Sequence, residues 1–224
     1  RISRKLLKDI ADLGMPTGTE FLDLISPQYV SDLVCWGAIG ARTAESQVHR
    51  ELTSGLSCPM GIKNSTKGDI QIAIDAIKSA QYQHVFLGTT KKGKVAIFKT
   101  SGNDDTHIIL RGGLEPNYHP EDIKNCRTTL EKNEVNANIM VDFSHGNSQK
   151  NHENQKKVSA SICQQIAGGN KDIIGVMIES HLKEGSQKIS EDMEYGKSIT
   201  DACVNWEETK KLLNDLAQAV KARR

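Results

Sequence analysis

Short apolar runs, several of them unbroken by any polar residue, alternate with amphipathic helical stretches from one end of the chain to the other. A strand buried on both faces loses the polar alternation of a half-exposed sheet, and a strand that returns parallel to its predecessor needs a crossover about the length of a helix. The pattern therefore predicts βα units and a parallel sheet. Six strands are expected, over residues 19–22, 37–41, 59–63, 107–111, 138–143 and 173–179. Helical spacing of apolar residues predicts helices over 2–13, 27–35, 44–54, 70–80, 120–132, 151–166 and 206–222. In the last of these, Leu212, Leu213, Leu216 and Val220 are expected to share a face. Two further runs, 84–89 and 94–99, joined through Lys91-Lys92-Gly93, predict an inserted β-hairpin, and the polar stretch 183–197 predicts a mobile loop.

The fold class implied is α/β, a (β/α)8 TIM barrel of which six of the eight units fall in this chain. The first residues, Arg1-Ile2-Ser3-Arg4, are already in helical period, with neither an initiator Met nor a capping residue, so the chain is expected to be cut from something longer. No repeat, low-complexity tract or Pro-rich linker marks a boundary, and 1–224 reads as a single partial barrel domain. Lys and Arg total 29 against 28 Asp and Glu, a net charge of +1 that sets up no field to gather nucleic acid or an anionic membrane. No apolar run approaches the roughly 20 residues of a membrane helix, and a signal-peptide layout is missing. Five scattered cysteines without CxxC spacing argue against a disulfide framework or structural zinc and fit a reducing cytoplasm.

In such barrels chemistry sits at the C-terminal ends of the strands. The polar residues there are Glu20, Arg42, Lys63, Arg111, His145 and Glu179. Taken singly, an arginine or lysine is more often a surface or ion-paired cation, but Arg42, Lys63 and Arg111 share the same register at strand ends. They are expected to face one cavity and to bind a small, doubly anionic substrate. A lone histidine is more often a hydrogen-bonded structural residue; His145 has Glu179 ending the next strand and Asp201 on the following loop, a set of one nitrogen and two carboxylates that suits a divalent metal. His49 and His84 read as surface residues and His107 as the start of a strand, all without a role. Cys58 and Cys163 read as small core hydrophobes, Gly168-Gly169 as a helix end, and Gly112-Gly113 as a loop near ligand.

Longer motifs carry a family resemblance: Gly37-Ala38-Ile39-Gly40-Ala41-Arg42-Thr43, Glu45-Ser46-Gln47-Val48-His49-Arg50-Glu51, His107-Ile108-Ile109-Leu110-Arg111-Gly112-Gly113, Asp142-Phe143-Ser144-His145-Gly146-Asn147-Ser148, Gly175-Val176-Met177-Ile178-Glu179-Ser180 and Tyr195-Gly196-Lys197-Ser198-Ile199-Thr200-Asp201-Ala202-Cys203. Over essentially the whole chain these resemble type I 3-deoxy-D-arabino-heptulosonate-7-phosphate (DAHP) synthases. The resemblance implies condensation of phosphoenolpyruvate with erythrose 4-phosphate at the head of the shikimate pathway. In that reaction C3 of phosphoenolpyruvate attacks an aldehyde polarised by a divalent metal, water adds at C2, and phosphate leaves. It implies Lys63, His145 and Arg111 as catalytic residues, and Glu20, Ala41, Arg42, Lys63, Arg111 and Asp201 as substrate contacts. His145, Glu179 and Asp201 would ligate Mn, Fe, Co or Zn. Leu24, Pro27, Gln28, Leu56, Ser57, Phe86, Gly88 and Phe98 match positions at which the family binds an aromatic inhibitor, tyrosine or phenylalanine, with Gly88 pointing to tyrosine. The hairpin at 84–99 is then regulatory, although the same apolar residues could instead pack it against a helix or a partner subunit. A homodimer or homotetramer is implied as well.

The departures are specific. The family's Gly-Pro-Cys-Ser segment, with its metal-binding cysteine, and its Lys-Pro-Arg-Thr segment have no counterpart in these 224 residues, so the 224-residue chain alone is expected to be inactive. Ser65 stands where the family usually has glycine, and Met60 and Ile62 replace valine and phenylalanine around Lys63. Two alternatives stand beside this reading: the related 3-deoxy-D-manno-octulosonate-8-phosphate synthase, and a non-catalytic relic that binds phosphoenolpyruvate or an aromatic amino acid without turnover.

Overall fold

Each of the six runs expected to be a strand is one, its bounds shifted by one or two residues. The computed structural model describes all 224 residues. Its strands are β1 (Gly18–Glu20), β2 (Trp36–Ile39), β3 (Met60–Lys63), β4 (Val85–Thr89), β5 (Val95–Lys99), β6 (Thr106–Leu110), β7 (Ile139–Asp142) and β8 (Ile173–Met177). The helices are α1 (Ile2–Asp12), α2 (Pro27–Val30), α3 (Gln47–Ser54), α4 (Gln71–Ala80), α5 (Pro120–Lys132), α6 (Gln155–Ala167) and α7 (Trp206–Arg223). Two units are distinguished by their internal contacts: Arg1–Ser65 with Asp69–Ile109 and Asn133–Asn136, and Thr66–Gly68 with Leu110–Lys132 and Ala137–Arg224.

In the first unit β1, β2, β3 and β6 pair side by side, all parallel, in the registers Gly18↔Trp36, Gly37↔Met60 and Met60↔Thr106. Every residue of β3 and β6 is buried, which is why both runs lack polar alternation. Close packing selects glycine at position 37: a Cβ there would lie 2.4 Å from Met60 Sδ and 2.6 Å from the Phe21 ring. Helix α4 covers this sheet with Ala73, Ile74, Ala76, Ile77 and Ala80, all buried at three- and four-residue spacing. Each fully buried isoleucine contributes on the order of 1.5–3 kcal/mol. The buried Asn103 side chain knots the loop after α3, donating to the carbonyls of Thr53, Leu56 and Cys58 at 3.3, 3.1 and 3.1 Å.

The hairpin forms as expected, β4 and β5 antiparallel with Phe86↔Phe98 and Leu87↔Ile97 opposed. Gly93 takes the left-handed conformation its turn needs (φ 71°). Phe86 and Phe98 stack at 6.0 Å on one face. On the other face Val85, Leu87, Val95 and Ile97 are all exposed.

In the second unit β7 and β8 pair in parallel, with Ile139 opposite Ile173, and α6 packs on α7. Asn205 caps α7 by accepting the Glu208 N–H at 2.9 Å, with Glu207 and Glu208 in the first turn and Lys221 and Arg223 in the last. The buried face of α7 is Thr209, Leu212, Leu216 and Ala219; Leu213, expected among them, is exposed, because one residue turns the helix by about 100°. The expected helix at 27–35 divides into α2 and a 3-10 turn (Ser31–Leu33), the one at 151–166 opens with a 3-10 turn (His152–Asn154), and the one at 44–54 starts at Gln47. The stretch 183–197, expected to be a mobile loop, is tied by Gln187: its Nε2 donates to the carbonyls of Glu194 and Lys197 and its Oε1 accepts the Glu194 N–H. No helix is long and apolar enough to cross a membrane.

A pH dependence follows from β6. The buried His107 Nε2 accepts the Trp36 indole N–H at 3.3 Å, which requires a neutral ring protonated on Nδ1. Burial pulls the imidazole from its ordinary 6.5 down to about 4. Above pH 6.5 neither the folded nor the unfolded state holds this proton. Between about 6.5 and 4 only the unfolded chain takes it up, so stability falls as pH falls, by on the order of 3 kcal/mol in all. Denaturant unfolding at stepped pH is expected to show a shallower decline across this window in His107→Gln than in the unaltered chain; parallel curves would rule the assignment out.

Candidate active site

Three of the expected residues meet in the second unit. His145 Nε2 lies 3.6 Å from Glu179 Oε1 and 3.7 Å from Asp201 Oδ2. Donors bound to one ion at about 2.1 Å stand about 3.0–3.4 Å apart in octahedral or tetrahedral geometry, so a small contraction fits all three around a divalent metal. Behind the ring, His145 Nδ1 lies 2.8 Å from Asp142 Oδ2, and Asp142 is buried. A carboxylate at that distance favours, through its charge, the tautomer with the proton on Nδ1, which leaves the Nε2 lone pair facing the two acids, the arrangement metal-binding histidines use. Burial pushes the Glu179 carboxyl above its ordinary value, against the hydrogen bond that Ser144 Oγ donates to Glu179 Oε2 at 2.6 Å. A second His/Glu grouping, His152, Glu153 and Glu184, is of another kind: Lys156 Nζ already neutralises Glu153 at 2.7 Å on the surface.

The turn that presents His145 is over-determined. His145 itself has φ 54°, a left-handed conformation that costs a non-glycine residue on the order of 1 kcal/mol. Asp142 Oδ1 accepts the Ser144 N–H at 2.9 Å, and the His145 carbonyl accepts the Lys150 N–H at 2.8 Å. The buried Asn147 joins this turn to the end of β6, its Nδ2 donating to the carbonyls of Asp142 and Leu110 at 2.8 and 3.1 Å. Its backbone N–H reaches the Arg111 carbonyl at 3.2 Å, and its Oδ1 accepts the Asn117 N–H at 2.8 Å. Backbones touch where these loops cross: a Cβ on Gly112 would sit 2.5 Å from Asn147 N, and one on Gly146 would sit 2.7 Å from Gly113 N. The Gly112-Gly113 pair thus serves the packing of the turn that carries His145.

Arg111 follows β6 directly and is buried. In the first unit Lys63 is the last residue of β3, likewise buried, while Arg42 is exposed on a turn in which Thr43 and Ala44 both donate to the Gly40 carbonyl. Ala41 precedes it, half-buried. The carboxylate of Glu20, at the end of β1, lies over Gly40; a Cβ there would be 2.0 Å from Glu20 Oε1. Sequence reasoning missed Asp142, Ser144, Asn147 and Gln155. Asp142, three residues ahead of His145 at a strand end, carried a signal in its spacing; Ser144 and Asn147 lie in the same motif with no role read for them, and Gln155 carried no signal.

Seven of the eight expected effector positions, Leu24, Pro27, Gln28, Leu56, Phe86, Gly88 and Phe98, line one cavity of 560 Å³ in the first unit. Ser57 is exposed and is not part of that lining. His49, expected at the surface, is buried, its Nδ1 2.8 Å from Ser46 Oγ and its Nε2 3.4 Å from the Leu22 carbonyl, because the face of α3 it occupies turns inward. His84 is half-buried against the Ser79 carbonyl at 2.9 Å. Cys58 is buried and Cys163 half-buried, and burial raises both thiols, so neither is a poised nucleophile.

Because His145 holds a left-handed backbone, a glycine there removes strain that an alanine keeps. His145→Gly is expected to be more stable to denaturant than His145→Ala by about 1 kcal/mol, although glycine ordinarily loses such comparisons. An alanine variant of equal or greater stability would show that the turn stores no strain.

The chain matches the model of the DAHP synthetase I family over residues 2–214. It is 60% identical over 226 residues to the Phe-sensitive phospho-2-dehydro-3-deoxyheptonate aldolase of Escherichia coli (strain K12), covering 100% of this chain and 65% of that protein. It is 52% identical over 224 residues to the Trp-sensitive enzyme of the same organism, covering 99% of this chain and 64% of the relative. The solved structure of phospho-2-dehydro-3-deoxyheptonate aldolase from Francisella tularensis SCHU S4 superposes with a TM-score of 0.97 at 54% identity, covering 100% of this chain and 66% of that one. The chain therefore spans just under two thirds of the length of these relatives. With the His145 turn, the strand-end cations and a family model that matches nearly end to end, this chain belongs to the DAHP synthetase I family.

Proposed function

We propose that this chain is the catalytic portion of a DAHP synthase, joining phosphoenolpyruvate to erythrose 4-phosphate. The observation that carries the reading is His145, backed by Asp142 and facing Glu179 and Asp201, in a chain of this family. The six parallel strands and their helices are then six units of a (β/α)8 barrel and make one catalytic domain; parallel pairing and the likeness to the Francisella structure support this.

In this reading Arg42, Lys63 and Arg111 hold the phosphate and carboxylate of phosphoenolpyruvate, guanidinium forks matching planar oxygen pairs. Glu20 and Ala41 lie against the substrate, and Asp201 serves both substrate and metal. His145, Glu179 and Asp201 hold a divalent ion, Mn, Fe, Co or Zn, which when bound supplies Lewis acidity toward the aldehyde oxygen. The charge of Asp142 favours the His145 proton on Nδ1, and Ser144 orients the Glu179 carboxylate. With the phosphate and carboxylate clamped, the nucleophilic C3 is presented to the aldehyde. The new C3–C1 bond forms, water adds at C2, and inorganic phosphate leaves.

The 560 Å³ cavity is a regulatory site for an aromatic amino acid, tyrosine or phenylalanine. Phe86, Phe98, Leu24 and Leu56 supply apolar walls, and Glu51 and Lys99, also in the lining, offer opposite charges to an amino acid's ammonium and carboxylate. A side chain at Gly88 would press on Phe98, its Cβ 2.9 Å from that ring, so glycine leaves room for the larger tyrosine. The hairpin of β4 and β5 is thus regulatory. Its outer face of Val85, Leu87, Val95 and Ile97 is covered by a second copy in a homodimer or homotetramer. The place of work is the cytoplasm, consistent with five free cysteines.

The reading is tested on the full-length polypeptide by following phosphoenolpyruvate loss with erythrose 4-phosphate and Mn²⁺. Turnover is expected to need both additions, to stop with a chelator, and to fall by at least about 100-fold in Lys63→Ala and Arg111→Ala, each of which removes a charge-assisted contact. Tyrosine or phenylalanine should inhibit, and Phe98→Ala should relieve the inhibition. Phosphoenolpyruvate loss that is indifferent to erythrose 4-phosphate, or no loss at all, rejects the assignment.

A further inference from the structure

Glu179 lies two residues beyond the end of β8, where the sheet no longer holds the backbone. Gln155, the first residue of α6 and entirely buried, takes over that role. Its Oε1 accepts the Glu179 N–H at 2.9 Å and its Nε2 donates to the Glu179 carbonyl at 3.0 Å. The Val204 N–H reaches the same carbonyl at 3.0 Å. A buried carboxamide is costly unless both its ends are bonded, and here both ends serve the main chain of one residue, as a neighbouring strand would. At the other end of Glu179, Ser144 Oγ holds Oε2 and leaves Oε1 facing His145 Nε2.

We propose that Gln155 is a positioning residue which sets the affinity of the site for a divalent cation by fixing the backbone of Glu179. The proposal rests on the metal-binding reading of His145, Glu179 and Asp201. With φ and ψ of Glu179 held at two points and its carboxylate at a third, the acid stands in place before any ion arrives. Without the clamp, ordering Glu179 becomes part of the cost of binding. Groups that orient metal ligands typically change metal affinity by about 10–100-fold when removed.

The experiment is a Mn²⁺ titration of the metal-free protein, with free Mn²⁺ read by electron paramagnetic resonance and the thermal midpoint of the metal-free protein measured alongside. Gln155→Met, close in length and apolar, is expected to raise the Mn²⁺ Kd by about 10–100-fold. Gln155→Asn keeps a buried amide and the fold but is one methylene too short to reach both backbone groups, and it must weaken binding too. Ser144→Ala should also weaken binding, and its effect should combine with that of Gln155→Met less than multiplicatively, since both act through the orientation of one carboxylate. His145→Ala separates the two readings. If it leaves Mn²⁺ binding intact, or the unaltered protein binds none, the metal reading falls and the proposal with it. If it abolishes binding while both Gln155 variants stay within about twofold of the unaltered Kd, a lowered thermal midpoint notwithstanding, Gln155 is structural and the proposal is overturned.

Discussion

Parallel strands buried on both faces are the constraint from which the rest of this structure follows. Once β3 and β6 lose all contact with water, their interior positions can hold only apolar or tightly bonded groups, and charge is displaced to where the strands stop. Lys63 is the last residue of its strand, Arg111 follows its own directly, and His145 and Glu179 lie just beyond theirs. The same constraint accounts for His107. An imidazole inside β6 is tolerated as a neutral ring that accepts the Trp36 indole proton, and burial enforces that protonation state.

Beyond the strand ends the backbone must be held by other means, and small buried polar side chains do it. Asn147 and Gln155 spend their side-chain amides on the backbone of these turns, and Asp142 Oδ1 accepts the Ser144 N–H. The result is a histidine in a left-handed conformation, its ring backed by one carboxylate and aimed at two others. Glycines at 112, 113 and 146 complete the arrangement by letting two loops cross backbone to backbone. Such rigidity suits a site whose ligands are to be in position before an ion or substrate arrives.

The hairpin obeys a different logic. Its inner face, with Phe86 and Phe98 stacked, walls a cavity, and its outer face leaves four large aliphatic side chains in water. A two-stranded ribbon has no second layer of its own, so whatever faces it must come from elsewhere in the chain or from a partner.

Period and composition alone made much of this legible: the alternation of strand and helix, parallel pairing, the hairpin, and the polar residues at strand ends all follow from local pattern. Position at two successive strand ends and the following loop marked His145, Glu179 and Asp201 as a set, and the family motifs agreed with it. Local pattern failed where side-chain direction depends on what lies opposite. Leu213 turns to solvent although it sits beside Leu212, and His49 turns inward although it sits on a polar helix. Nothing in the run Asn154-Gln155-Lys156 announces that Gln155 will take the backbone of a residue 24 positions away. By itself the sequence determined which segments are buried and where charge must emerge, because hydrophobic periodicity is a property of neighbours along the chain. Only the tertiary structure decided which polar side chains hold the candidate ligands in place, because those hydrogen bonds join segments that meet only after folding.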